Sequence, residues 1–316
     1  PALPHLRSKL LAARRVHRYE FDAALDALPP DLKANFRTML ERTNPERESR
    51  EMGTPQFRPS TLRLYQGVGE GPKNPTLPKG GVEDSSGNTI LVPETHKRFF
   101  QGIPQQLVVS VLFMANGRAF WPGRTPDGKP EIPHGIDVKP NQMICGSGDR
   151  LMGTRFGKCD TCAYKPVFDA AKKYCKDHVE VFVILPDLTA VYQITMGVTS
   201  FRSAVRPITA KADSWRKDYA GQFILEPKLI EKPGQNYYVW SATPMTSQTE
   251  PNGVMNSPEA VAVMDLILRQ IKTEVYFPRL ATTYARKSEV AAPPAGSIAD
   301  IEAAAGGMDY SAQNNL

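Results

Sequence analysis

The sequence predicts an α+β fold: a β-rich domain flanked by N-terminal helices and a C-terminal helix. Two observations lead to this prediction. Through the middle of the chain, apolar runs of strand length alternate with turn residues, and 28 prolines and 23 glycines in 316 residues favour many turns over a helical bundle. Helical periodicity of apolar residues is found before residue 43 and again over 257–277.

Residues 1–43 predict a basic helical hairpin. Apolar residues at helical spacing indicate a first helix over 5–28, with arginines and lysines on its other face. Asp31 can cap a second helix that ends near Arg42. The basic face could contact phosphates or a neighbouring subunit. A charged face that is simply solvated is an equally good interpretation. Residues 44–60 are polar and predict a linker.

Residues 61–250 predict the β domain. Short strands at Thr61–Tyr65 and Thr89–Val92 precede an apolar strand, Leu107–Ala115. We expect this strand to stop at Asn116-Gly117, a favoured turn pair.

Two hairpins follow, over 179–196 and over 222–243, and their turns contain Pro186 and Pro233. Between them, Thr199-Ser200 is expected to cap a short helix that ends before Pro207. Five strands with one short helix fit a small Greek-key barrel, most commonly an OB-like barrel; a β-sandwich is the alternative.

Ser257-Pro258-Glu259 predicts the start of a C-terminal helix that runs to about Val275. Residues 288–316 contain acidic residues but no lysine or arginine, and they predict a flexible, weakly acidic tail.

All four cysteines lie within thirty-one residues, and the pattern C-x13-C-x2-C-x12-C predicts a zinc knuckle at 145–178. The predicted ligands of one structural Zn²⁺ are Cys145, Cys159, Cys162 and Cys175. Two disulfides or four buried thiols are the alternatives, and His178 would make a Cys3His site. Four thiolates leave no open coordination position, which argues against metal-dependent hydrolysis.

The formal charge of +6 and pI of about 9.1 favour a polyanion as partner. Basic and aromatic residues alternate around the cysteines, a composition typical of single-strand binding. No run of eighteen apolar residues is present, so we expect no membrane insertion and a cytoplasmic location.

The stretch 153–205 resembles single-stranded-DNA-binding proteins of bacteriophages and mobile elements. The resemblance is carried by Cys159, Cys162, Cys175-Lys176, the 179–196 hairpin and Thr199-Ser200. The resemblance implies an OB-like fold that binds zinc. It also implies a function in replication or recombination in the host cytoplasm, with proteins of those systems as partners and with homo-oligomers along the strand. The tail departs from that family, because it lacks a strongly acidic, hydrophobic-ended terminus.

The sequence therefore predicts a protein that binds single-stranded DNA without sequence preference, with RNA as the alternative strand. Basic side chains would pair with phosphates and aromatic rings would stack on bases. The predicted contacts are Arg155, Lys158, Tyr164, Lys165, Lys173, Tyr174, Arg202, Arg206, Trp215, Arg216, Tyr237 and Trp240. Trp215 is placed in a polar loop, whereas the strand position of Trp240 also suits a core.

A zinc-ribbon module that docks onto a replication, transcription or effector complex is the alternative interpretation, favoured by the helices outside the β domain. An enzyme is not predicted. The five histidines are scattered, no G-x-S-x-G motif is present, and no cysteine is left as a nucleophile once zinc is bound.

Overall fold

The computed structural model describes residues 23–43, 59–67, 71–124, 130–132, 136–139, 142–164, 175–215, 219–233 and 235–276. Their contacts divide them into two compact units. The sheet unit contains the described residues up to Ala115 and those from Val179 to 276. The cysteine unit contains the described residues of Asn116–His178.

The described strands are β1 (Ser60–Leu64), β2 (Val82–Glu83), β3 (Thr89–Leu91), β4 (Leu107–Phe120), β5 (Gly123–Arg124), β6 (Pro130–Glu131), β7 (Cys145–Ser147), β8 (Met152–Gly153), β9 (Gly157–Lys158), β10 (Lys176–Ile184), β11 (Val191–Gly197), β12 (Phe223–Lys232) and β13 (Gln235–Pro244). The main sheet has the order β13-β12-β4-β10-β11-β1-β2-β3 and is strongly curled. β1 runs parallel to β11, and β12 runs antiparallel to both β4 and β13.

The described helices are α1 (Pro30–Thr43), α2 (Arg206–Trp215) and α3 (Pro258–Gln270). 3₁₀ turns span Glu94–Phe99 and Val198–Ser200, and π-helical turns span Phe201–Val205 and Ile271–Tyr276. The mixed α+β class is therefore confirmed, with few helices around a curled sheet.

Helix α1 confirms the second N-terminal helix. Phe36 and Met39 are fully buried, and Leu32 and Leu40 pack against the same core. These residues lie three to four positions apart, which is the spacing that brings side chains to one face of a helix. Residues 23–27 are also helical, in agreement with the end of the first predicted helix.

Both predicted hairpins form. The turn of the first begins at Pro186. In the second, β12 and β13 pair continuously from Phe223↔Pro244 to Lys232↔Gln235.

Helix α3 begins as predicted. The hydroxyl of Ser257 accepts a hydrogen bond from the backbone N–H of Ala260 at 3.3 Å, and Pro258 occupies the first turn. Met264, Ile267 and Ile271 are fully buried in the core that also receives α1. A hydroxyl that satisfies an otherwise unpaired N–H is the usual reason why serine precedes a helix.

The predicted turn at Asn116-Gly117 is wrong, because β4 continues through both residues to Phe120. Gly117 is buried against the imidazole of His178 and the carbonyl of Ser147. A Cβ at this position would lie 2.4 Å from His178 Nε2. The glycine is thus required for close approach within the sheet and not for a turn.

The prediction that the short helix between the two hairpins ends before Pro207 is also wrong. The chain passes from the π-helical turn Phe201–Val205 directly into α2, so Pro207 lies inside a continuous helical segment and does not end it. Ser200 does not act as the expected cap, since its hydroxyl accepts from the backbone N–H of Trp240 at 3.1 Å.

Several predictions lie outside the described residues. They concern the part of the first helix before residue 23, most of the 44–60 linker, Lys165, Lys173, Tyr174, Arg216 and the 288–316 tail.

Candidate functional site

Three short segments of the cysteine unit place its four thiols. Cys145 begins β7 and pairs with Phe120 of β4. Cys159 and Cys162 flank a tight turn after β9, in which the N–H of Cys162 donates to the carbonyl of Cys159 at 3.4 Å. Cys175 is positioned by its own N–H, which donates to the carbonyl of Tyr164 at 3.0 Å.

All four thiols line one small cavity. Its volume of about 10 Å³ corresponds to one water-sized sphere, so the space suits a single ion and excludes an organic substrate. Cys145 and Cys159 are buried, and Cys162 and Cys175 are half-buried. Gly153 forms part of the wall, and a Cβ there would lie 2.8 Å from the sulfur of Cys145.

Backbone and hydroxyl donors point at two of the sulfurs. The N–H of Arg155 donates to Cys145 Sγ at 3.4 Å, and the hydroxyl of Thr154 reaches the same sulfur at 3.9 Å. The N–H of Tyr164 donates to Cys162 Sγ at 3.4 Å. Donors of this kind stabilise sulfur in the thiolate form, which is the form that binds metal.

Without a cation, the cavity disfavours thiolates. Burial, followed by the charges of the other three cysteines, raises the pKa of Cys175 to about 12. Burial is also the main cause of the raised pKa of Cys162, with Cys145 and Cys159 adding to it. A divalent cation reverses this balance, because each thiolate is then attracted to the metal instead of only repelled by its neighbours.

The chemistry of this donor set fits Zn²⁺, which four thiolates hold in a closed tetrahedral site. Among the described residues, no group of three or more His, Cys, Asp or Glu side chains has its ligand atoms arranged to hold a metal ion. The four free cysteines that line one cavity nevertheless supply the number and type of ligands that zinc takes.

Arg118 supplies a positive charge at the cavity wall. Its Nε donates to Asp177 Oδ1 at 2.9 Å, and the residue lines the cavity together with Cys159. Burial acts to lower the pKa of Arg118, but Asp177 and Cys159 outweigh that effect and raise it. A fixed guanidinium partly neutralises the net negative charge of a metal held by four thiolates.

Three aromatic rings pack beside the thiols. Ring centroids of Tyr164 lie 4.8 Å from Phe120 and 4.9 Å from Phe156. Tyr164 is buried within this small core, which also includes Cys145 and Ile144. The ring of Tyr164 is therefore not available to stack on a base, and the prediction that assigned it to nucleic acid is corrected: in this structure it covers the cysteine site.

The tryptophans predicted to stack on bases are not freely exposed either. Trp240 is fully buried in the sheet core. Trp215 is the last residue of α2 and not part of a loop. Its half-buried ring packs on Phe223 at 5.1 Å and against the backbone of Gly221. Burial removes Trp240 from the set of contacts and gives Trp215 a packing role.

The remaining described residues of that set are more accessible. Lys158 is exposed on the cysteine unit, and Arg202 and Arg206 are exposed on the sheet unit. Tyr237 is half-buried, with Lys232 Nζ 5.9 Å from its ring centroid. Arg155 is half-buried, and its guanidinium donates to the carbonyl of Asp137 at 3.4 Å.

Trp121 was not among the predicted contacts, yet its side chain is 54% exposed on the cysteine unit. It directly follows the end of β4 and precedes Pro122-Gly123. The Pro-Gly pair after Trp121 was visible in the sequence, but only the structure shows that β4 ends directly before this tryptophan.

Comparison with protein families, with curated proteins and with solved structures finds no match for this chain. None of the described helices combines the length and the apolar character needed to cross a membrane.

Proposed function

We propose that this protein binds single-stranded DNA without sequence preference, through an OB-like barrel that carries a zinc-stapled insertion. The observation that carries the proposal is the exposed indole of Trp121 on the compact unit that also holds the four-thiol cavity and the exposed Lys158. An exposed aromatic ring combined with basic side chains is the arrangement that binds unpaired bases and their phosphates.

Zinc has a structural role in this proposal. Cys145, Cys159, Cys162 and Cys175 would hold one ion, and its binding free energy would stabilise a unit whose described strands are only two to three residues long outside β4 and β10. The ion would hold β7 and the turn after β9 in place and thereby keep Trp121 at the rim of β4.

The curled sheet supports the OB-like part of the proposal. Its longest strands, β4, β10, β12 and β13, belong to the two predicted hairpins and the strand before them. The connection from β11 to β12 contains the continuous helical segment Val198–Trp215, where one short helix was expected between the hairpins. Small barrels of this type bind oligonucleotides on one face of the sheet.

The resemblance of 153–205 supports a place in replication or recombination of a bacteriophage or mobile element, in the cytoplasm of its host. Proteins of those systems are the proposed partners, and further copies of this chain along the strand are the proposed homo-oligomer. RNA remains the alternative strand, because stacking and phosphate contacts do not by themselves distinguish the two sugars.

The direct test is fluorescence anisotropy of labelled oligonucleotides with the full chain, comparing single-stranded DNA, duplex of the same sequence and single-stranded RNA over a salt series. We expect tight single-strand binding that weakens steeply with salt, and much poorer duplex binding. Equal affinity for single strand and duplex would contradict the proposal.

A second candidate is a zinc-ribbon module that docks onto another protein. It is favoured by two exposed apolar side chains of the cysteine unit, Leu151 at 58% and Met143 at 40%. Exposed apolar groups of this kind are enriched at protein interfaces. In the anisotropy experiment, this candidate predicts weak binding to every oligonucleotide.

A further inference from the structure

We propose a second contact for single-stranded nucleic acid on the sheet unit, formed by Phe99 together with Lys97 and Arg98. This inference rests on the proposed function and adds a site that the sequence analysis did not identify. The three residues end the 3₁₀ turn Glu94–Phe99, which lies between β3 and β4.

Phe99 is the most exposed large apolar side chain among the described residues, at 82%. None of the six residues of its 3₁₀ turn is buried. Burial of a phenylalanine side chain is favourable by about 1.5–3 kcal/mol. A ring left in water at this level is therefore available to any partner that can cover it.

The geometry of the turn arranges its side chains in three rows. A 3₁₀-helix has three residues per turn, so residues i and i+3 lie above one another. His96 and Phe99 form one row, Glu94 and Lys97 form the next, and Arg98 shares the third row with Thr95. The turn thus presents a ring-bearing row with a cation on each side.

The charge of the turn favours a polyanion. Lys97 lies 3.4 Å from Glu94, but both side chains are more than half exposed, and exposed pairs of this type contribute little. Arg98 is exposed as well, so two basic side chains lie in solvent beside the ring. An aromatic ring between two cations is complementary to a base and the phosphates that flank it.

The backbone holds Phe99 in a defined position. The N–H of His96 donates to the carbonyl of Pro93 at 2.9 Å, and the N–H of Phe100 donates to the carbonyl of Lys97 at 3.3 Å. The N–H of Ile103 closes the following turn on Phe100 at 3.2 Å. A ring carried on a hydrogen-bonded turn loses less conformational entropy on binding than a ring on an unstructured loop.

The surroundings favour a nucleobase over a protein surface. Residues 94–98 are all polar or charged, so no apolar residue precedes Phe99 within its turn. Protein interfaces gather apolar residues and are depleted in lysine at their centres, whereas a single ring with basic neighbours is sufficient to stack on one base.

The test uses the full chain and a fluorescein-labelled oligothymidylate, followed by anisotropy. Phe99→Ala is expected to weaken binding by about 5- to 150-fold, the range found when a stacking ring is removed, and Phe99→Trp is expected to retain it. Arg98→Ala should reduce the slope of log affinity against log salt by about one. Met255→Ala, which truncates another exposed apolar side chain of the sheet unit, is the matched control.

The outcomes separate the two proposals. If wild type prefers single strands but Phe99→Ala binds as tightly as Met255→Ala, the Phe99 site is wrong and the proposed function stands; Phe99 is then assigned to a protein contact. If wild type shows no preference for single strands, both proposals fail together. Because Phe99 is exposed, its replacement is not expected to affect folding, and unfolding curves of the variants verify this.

Discussion

The side chain of Gln66 pairs with the backbone of Tyr238 as a neighbouring strand would. Its amide donates to the carbonyl of Tyr238 at 2.8 Å and accepts from the N–H of Tyr238 at 2.9 Å. Tyr238 lies in β13, the edge strand of the main sheet. Gln66 follows β1 by two residues and therefore links the segment after β1 to this edge.

Other side chains donate hydrogen bonds to backbone carbonyls of neighbouring residues in β13. Lys79 Nζ donates to the carbonyl of Asn236 at 2.6 Å, and the hydroxyl of Ser203 donates to the carbonyl of Trp240 at 2.6 Å. Together with the bond between Ser200 and Trp240, these contacts occupy alternate residues along β13. An edge covered in this way does not offer itself for pairing with another chain.

Replacement of Gln66 should destabilise the sheet unit. Gln66→Ala leaves the N–H and carbonyl of Tyr238 without their partner, which costs about 1–3 kcal/mol of unfolding free energy. Urea denaturation measures the change, with Gln101→Ala, an exposed glutamine, as the control. An unchanged midpoint for Gln66→Ala would show that this edge does not depend on the side-chain pairing.

Purified protein should contain one zinc ion per chain, measured by elemental analysis. Serine in place of any one of Cys145, Cys159, Cys162 or Cys175 should abolish stoichiometric zinc, because hydroxyls are poor zinc ligands. Loss of the ion should also lower the free energy of unfolding. The expected decrease is about 4 kcal/mol when the free zinc concentration is about 1,000 times the dissociation constant. Thr161→Ala, between two of the cysteines, should retain the metal, and full zinc in all four serine variants would refute the assignment.

Trp121 and Trp240 should respond in opposite ways to replacement by alanine. Trp121→Ala is expected to lower the affinity for single-stranded DNA by about 5- to 150-fold with little change in stability. Trp240→Ala should cost about 3–5 kcal/mol of stability, because it empties a buried site. Anisotropy and thermal unfolding measure the two effects. Unaltered DNA binding by Trp121→Ala would remove the observation on which the proposed function rests.

Gly117→Ala should be strongly destabilising. The added methyl group would lie 2.4 Å from His178 Nε2 and 2.9 Å from the carbonyl of Ser147, so neighbouring groups must move at a cost of about 1–3 kcal/mol. Gly197→Ala is the matched control, since nothing lies within 4 Å of a Cβ there. Equal unfolding midpoints for both variants would show that the packing at Gly117 is looser than the structure indicates.

The sequence was sufficient where local chemistry decides structure. Ser257 and Pro258 specify a helix start whatever the rest of the chain does, because one hydroxyl satisfies an N–H that the helix itself cannot. The apolar runs on either side of Pro233 likewise specify a hairpin, and β12 and β13 pair along their full length. The spacing of the four cysteines predicted a common site, and their thiols do line one cavity.

Tertiary structure alone decided what depends on contacts between distant residues. Asn116-Gly117 has the local preferences of a turn, yet partners across the sheet, Ser147 and His178, hold it as a strand. The exposure of the aromatic rings was decided in the same way. Tyr164 is covered by Phe120 and Phe156, and Trp215 packs on Phe223, whereas Trp121 and Phe99 remain in solvent. Local sequence specifies a residue's own backbone preferences, but burial depends on which distant side chains arrive beside it, and only the folded chain determines that.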